Sequence, residues 1–276
     1  MHIAAALLGI HGGEPGGSAG AVPPNKGVYG LGNPTPRHLM RPLSADRPDT
    51  TESPYTVDAG HTQIELSFAE WTRKDDGPRT DTVDFLPINI KLGITNSDEV
   101  QLVISPYSVI EEDGGARTAG PGDTAIRFKH NFWGNDSGGT ALAIMPFISL
   151  PTGASGISAD RIEGGFILPF AMGLPAGFSL GLMAELDFVW NDDGTAYDLD
   201  FVHTAVLGHD LVGDLAGFVE YVGAASSDSE TDYRATANLG LTLGLGPDVQ
   251  LDGGVELGLT EAADDLRVYL GMTVRF

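Results

Sequence analysis

From residue 61 to its end the chain is a succession of segments in which apolar and polar side chains alternate one by one, each bounded by Gly, Pro, Asn or Asp. Successive side chains of a β-strand point to opposite faces, so every such segment has one greasy face and one wet one. Phe178, Leu180, Leu182, Leu186 and Phe188, for example, oppose Ser179, Gly181, Met183, Glu185 and Asp187. The pattern predicts twelve strands, over 61–72, 82–95, 99–109, 122–133, 140–150, 161–174, 177–190, 196–208, 214–224, 232–244, 248–260 and 265–276.

A chain of 276 residues holds one large all-β domain or two small ones. It contains no run of the roughly 18 apolar residues that a membrane-spanning helix requires, whereas a strand crosses a bilayer with about 10 and hides half of its hydrophobicity by alternation. The net charge of -23 argues against nucleic acid, since little here could neutralise phosphates. The absence of cysteine removes disulfides, thiolate zinc sites and cysteine nucleophiles together.

A soluble sandwich and a membrane barrel would both show this alternation, and loop lengths separate them. Outer-membrane barrels have short periplasmic turns and longer outer loops. Counting back from the C-terminus, the connections 244–247, 209–213, 175–176, 134–139 and 96–98 are short, while the intervening ones include 73–81, 110–121, 151–160 and 225–231. A sandwich has no reason to alternate in this way. The expected fold is therefore all-β: a transmembrane antiparallel up-and-down β-barrel of about 12 strands over 61–276, its even strand number placing both ends on the periplasmic side.

A charge facing lipid at the midplane costs about 2 to 4 kcal/mol, so the charged positions of the strands are assigned to the lumen. The acidic candidates are Glu65, Glu163, Glu185, Asp187, Glu220 and Glu256, with Asp200 and Asp252 on the same face of their strands. The basic ones are Lys91, Arg127, Lys129, Arg234, Arg267 and Arg275. Walls of opposite sign either orient a polar or amphipathic solute along the axis or pair across a narrow interior and plug it.

Residues 1–45 read as a leader-like, unstructured segment, apolar at its start but without the basic residue an export signal wants, and rich in Gly and Pro thereafter. Residues 46–60, carrying Pro48 and Pro54, are too irregular for a wall strand. Folded up into the lumen from the periplasmic side, this segment would act as a plug through Asp46, Arg47, Asp49 and Glu52.

No catalytic constellation or metal site emerges, and no cofactor is expected. His203 and His209 share a face but lie about 20 Å apart along an extended strand, too far for one ion. There is no Gly-x-Ser-x-Gly elbow. The lipid-side parity of His130 and His203 keeps open a lipid-modifying barrel enzyme, without a serine that pairs with either. Acidic loops such as Glu111-Glu112-Asp113 fit solvated charge, or divalent cations shared with anionic lipopolysaccharide.

Three stretches carry a family resemblance: Asp46-Arg-Pro-Asp-Thr-Thr-Glu-Ser-Pro-Tyr-Thr-Val-Asp-Ala-Gly-His-Thr-Gln-Ile-Glu65, Pro121-Gly-Asp-Thr-Ala-Ile-Arg-Phe-Lys129 and Met145-Pro-Phe-Ile-Ser-Leu-Pro-Thr-Gly153. They resemble the outer-membrane proteins of the family labelled "putative MetA-pathway of phenol degradation", whose members are described as transporters. The last strand, alternating from Leu266 and ending on Phe276, also resembles the signal by which the barrel-assembly machinery recognises its clients. The resemblance implies passive uptake of small, often aromatic or hydrophobic, solutes across the bacterial outer membrane. Outer-membrane lipid and lipopolysaccharide, the assembly machinery and a small-molecule solute are the expected partners. A closed, purely structural barrel is the remaining alternative.

Overall fold

A computed structural model describes residues 25–75, 77–191 and 194–276 of the chain; the first 24 residues of the expected leader lie outside them. The wall begins with β1 (Thr62–Asp75), β2 (Arg79–Phe85), β3 (Ile88–Gly93), β4 (Asp98–Ile104), β5 (Tyr107–Glu112), β6 (Arg117–Gly120) and β7 (Thr124–Trp133). It continues through β8 (Thr140–Leu150), β9 (Glu163–Gly173), β10 (Phe178–Trp190) and β11 (Tyr197–Val212). It ends with β12 (Leu215–Ser226), β13 (Arg234–Gly244), β14 (Val249–Gly258) and β15 (Leu266–Arg275). All pairings are antiparallel, and β15 pairs with β1, so the sheet closes on itself.

Fifteen segments make twelve wall positions, because β2 with β3, β4 with β5, and β6 with β7 are halves of single wall strands that pair with the same neighbours. Each break falls at a proline: Pro87, Pro106 or Pro121. Proline has no N–H for the ladder, and Leu86 beside Pro87 turns to a positive φ of 54°. The sequence pattern ran through Pro87 and Pro106 because alternation resumes on either side, and stopped at Pro121, where it placed the end of a loop. It also placed long loops at 73–81 and 110–121, which are instead mostly strand: β1 and β2 run on to Asp75 and Arg79, and β5 and β6 leave only 113–116 between them.

The two faces of the wall are inverted relative to a soluble protein. Ile126, Phe128, Leu182, Phe188, Val268 and Leu270 are exposed on the outside, while Gln63, Glu65, Ser67, Lys91 and Lys129 are buried on the inside. Apolar exposure on this scale has a physical explanation only if the surrounding solvent is lipid. This is the architecture of a transmembrane β-barrel. A bulge between Ser67 and Ala69 adds Phe68 to the outer face and shifts the parity, so that Glu70 joins Glu65 inside.

Residues 25–60 lie at the end of the barrel where β1 begins and β15 stops. Asn25–Ala45, expected to be the tail of an unstructured leader, contains two short 3-10 turns, Lys26–Val28 and Arg37–Leu39, and buries Lys26, Arg41, Leu43 and Ala45. Its Gly and Pro content removes regular structure, but side-chain bonds to the barrel replace it. Further on, Tyr55 packs against Ala141, Ala171, Val206, Ala216 and Phe218 of the inner wall. Alanine at those inward positions leaves the volume that the entering chain fills.

Candidate functional site

Deep in the lumen the wall lysines converge on one carboxylate of the entering segment. Lys91 on β3 and Lys129 on β7 are 1% and 0% exposed. Lys91 lies 2.6 Å from Asp46, 3.0 Å from Glu65 on β1 and 3.8 Å from Glu99 on β4. Lys129 lies 2.8 Å from Asp46 and 3.4 Å from Glu99. Gln101 donates to both Asp46 and Glu99, and the Val57 amide donates to Glu99. Buried charges persist only when paired and hydrogen-bonded, and here every member is both.

The other charged residues of the segment reach different walls. The Arg47 guanidinium makes a forked bond to Asp252 on β14 and donates to Ser67. Glu52 accepts from Arg127 on β7 at 2.5 Å. Between them, the Thr50 and Thr51 amides donate to Glu220 on β12 at 2.9 and 2.7 Å. Asp49, 8% exposed, meets no base: the charge beside it is Glu220, another carboxylate. The segment thus crosses the bore from β1–β7 to β12–β14 held by wall side chains rather than by strand pairing.

At the terminal end a second set of bonds clamps the chain below this crossing. Arg41 donates to Asp58, to Thr56 and to the Asn96 carbonyl, and Lys26 bridges Asp58 at 3.0 Å and Asp136 at 2.7 Å. Burial alone would raise the Asp136 carboxyl, but the hydrogen bond from Asn96 and the Lys26 and Arg41 charges outweigh it and hold its pKa below the usual carboxylate range. Arg275 at the end of β15 binds Asp248 and donates to the Arg41 carbonyl. A gap of about 20 Å³ between Arg41, Tyr55, Gln63, Asn135 and Arg275 has room for roughly one water.

Toward the other rim the lumen is wetter and unevenly charged. Arg234 pairs with Asp200 at 2.8 Å, and Arg267 pairs with Glu70 and, at 3.5 Å, with Glu256. Glu163 accepts from the Trp190 amide. Glu185 and Asp187 stand together on β10, where the base acting on both is Arg127, already bonded to Glu52, and one Asp187 oxygen lacks a partner. Beside them Met145, Ile167 and Met183 form an apolar stripe flanked by Phe147 and Val202.

The fourteen charged positions assigned to the lumen fall on strand faces opposite the exposed apolar residues. The structure brings together Glu65, Lys91 and Lys129, then Arg127 with Glu185 and Asp187, then Glu256 with Arg267; Glu163, Arg234 and Arg275 take other partners. Glu99, Gln101, Glu70, Lys26 and Arg41 were missed. For Glu99 and Gln101 the signal was present, since they oppose Val100 and Leu102 along β4. Of the lipid-side histidines, His130 bonds Asp98 and His203 bonds the Tyr233 hydroxyl, which in turn bonds Tyr221. Neither has a serine among these partners. Phe276 donates its amide to the Thr62 carbonyl at the seam between β15 and β1.

The profile of the family described as "Putative MetA-pathway of phenol degradation" matches residues 45–276, the last of the entering segment and the whole wall. The chain belongs to that family. An outer-membrane channel from Pseudomonas putida shares the fold at a TM-score of 0.62, with 11% identity, over 84% of this chain and 100% of that one. The NanC porin superposes with a TM-score of 0.53 at 7% identity, over 76% of this chain and 98% of the porin. No curated protein matches the chain in sequence.

Proposed function

We propose that this member of the phenol-degradation family is a passive outer-membrane channel whose bore is set by residues 46–57, and that small aromatic or hydrophobic solutes are its cargo. The observation that carries this reading is a closed barrel with a polar interior, crossed by a segment held through Asp46, Arg47 and Glu52 to three parts of its wall. A segment paired edge to edge would be part of the wall. One held by side chains is a constriction that can shift when a few ion pairs exchange for water.

The lumen supports an amphipathic cargo. Met145, Ile167 and Met183 offer adaptable apolar surface on one side, and the charged groups of β1, β7 and β13–β15 line the other. A solute with an apolar body and a hydroxyl handle satisfies both. The family's description and the similarity to a channel point the same way without naming the solute.

The test is single-channel conductance of the full chain, refolded in detergent and checked for β-structure, across a salt gradient. Discrete steps with a reversal potential favouring cations are expected, followed by swelling of proteoliposomes in phenols but not in disaccharides. Silence in both assays from a folded sample overturns the channel reading and leaves a closed barrel.

A further inference from the structure

Residues 151–162, between β8 and β9, form the longest connection between wall strands among the described residues. One carboxylate closes it. Asp123, just before β7, accepts the Gly153 amide on one oxygen at 2.8 Å and the Ala159 amide on the other at 2.9 Å. Between those two points the chain makes a turn of its own, with the Ile157 and Ser158 amides both donating to the Ala154 carbonyl. The Pro121 carbonyl, at the break between β6 and β7, accepts the Ala154 amide at 2.8 Å, and the Thr152 hydroxyl donates to the Thr124 hydroxyl.

Gly120 shows on which side of the wall the loop lies. It stands opposite Ser108, Ser108 opposite Asp84 and Asp84 opposite Glu70, so its side-chain position shares the inner face with Glu70. A Cβ at Gly120 would come 2.5 Å from the Ala154 Cβ, and its three nearest atoms would all belong to Ala154 and Ile157 of the loop. Residues side by side in a sheet keep their Cβ atoms about 4.5 to 5.5 Å apart, so the loop has turned over the inner face of β6 instead of continuing the wall beside it. Thr118, on the same face as Gly120, is covered in the same way: a Cβ at Gly156 would lie 3.3 Å from its methyl group.

We propose that residues 151–160 are a second narrowing of the channel, folded into the mouth opposite the termini, and that Gly120 is the seat that admits them. The inference rests on the channel reading above and adds to it the place where solutes are first selected, by width, before they meet the plug. The turn exposes Ser155 and Gly156, small and uncharged, so this narrowing sorts by size and not by charge.

The seat is tested by moving one methyl group. Gly120→Ala puts a methyl where Ala154 already has one and should lift the loop, whereas Gly120→Ala with Ala154→Gly transfers the methyl from loop to wall and should let it settle again. Both variants are read in the full chain refolded in detergent, first with trypsin, because Arg161 is the one basic residue of the connection. Cutting after Arg161 should be about fivefold faster in the single variant and return to the parent rate in the double one. In bilayers the single variant should raise single-channel conductance about twofold and let larger solutes swell proteoliposomes, with the reversal potential unchanged, and the double variant should undo both. The proposal is overturned if parent and single variant are cut alike, or if the double variant does not recover, since the loop then does not sit on Gly120. It is equally overturned if trypsin shows the loop released while conductance and size limit stay at the parent's values. A folded parent that passes no ions defeats the channel reading and the narrowing with it, while the trypsin result on the seat stands by itself.

Discussion

In the terminal half of the lumen, Lys91 and Lys129 share three carboxylates in a space from which water is excluded. In the far half, Glu185 and Asp187 share one arginine and stay within reach of water. The same residue types therefore play two roles, separated by what fills the space between the walls. Where residues 46–57 are present, most of the charge is paired with the wall; where they are absent, acid is left over. Removing Asp46 from the inner cluster leaves Lys91 and Lys129 facing Glu65 and Glu99, two charges of each sign on the wall itself. The barrel should stand without its plug.

That balance gives the largest expected effect. Deleting 46–57 with a short Gly/Ser bridge should leave a folded β-barrel and raise single-channel conductance several-fold. Unchanged conductance from a folded deletion variant would mean that the segment does not set the bore. Next in size is Lys129→Met, which leaves Lys91 to balance Asp46, Glu65 and Glu99 alone and should weaken plug docking by about 3 to 5 kcal/mol. The expected readout is flickering between a low and a high conductance level, with protease cutting between residues 46 and 57. Adding Asp46→Asn to Lys129→Met should restore most of the quiet low state, and failure to do so would separate the lysine's role from the plug.

A third change acts only on the open half. Glu185→Gln with Asp187→Asn should move the reversal potential in a salt gradient toward zero while conductance changes by less than about twofold, because these groups attract cations without narrowing the bore. A large drop in conductance instead would place the constriction at β10 rather than at the plug.

How far the sequence revealed these two halves differs in an instructive way. The wall was legible because lipid outside and water inside impose a period of two on its strands, and that local signal survives where Pro87 and Pro106 break the ladder, though not across Pro121, where β6 was read as loop. The side chains facing the bore followed from the same parity. The pairing of Arg47 with Asp252, 205 residues apart, had no sequence signal at all, because it depends on closure of the barrel and on the depth to which the segment enters. Lys26 and Arg41 escaped for another reason. Gly and Pro around them remove regular structure without removing order, and only the carboxylates on the barrel's turns show that the chain is held there.

The smallest expected effect concerns that outer clamp. Asp136 is held below the usual carboxylate range by Asn96, Lys26 and Arg41 against the opposing effect of burial. A carboxylate whose folded pKa is depressed stabilises the fold above its unfolded value, near 3.9, and loses that contribution as pH falls through the folded value. Between pH 7 and 5 the clamp should therefore be constant, and below about pH 4 it should loosen before the better shielded Asp46 cluster does. A pair with one partner still partly in solvent, as Asp136 is, contributes roughly 1 kcal/mol, so the expected sign is a modest rise in protease cutting near residues 26–41 with conductance unchanged. Asp136→Asn should show the same cutting at pH 7 and no further acid response. If acid instead opens the channel in step with the cutting, the clamp and the inner cluster act as one unit, and the division of the lumen into a locked and an open half would have to include the clamp in the gate.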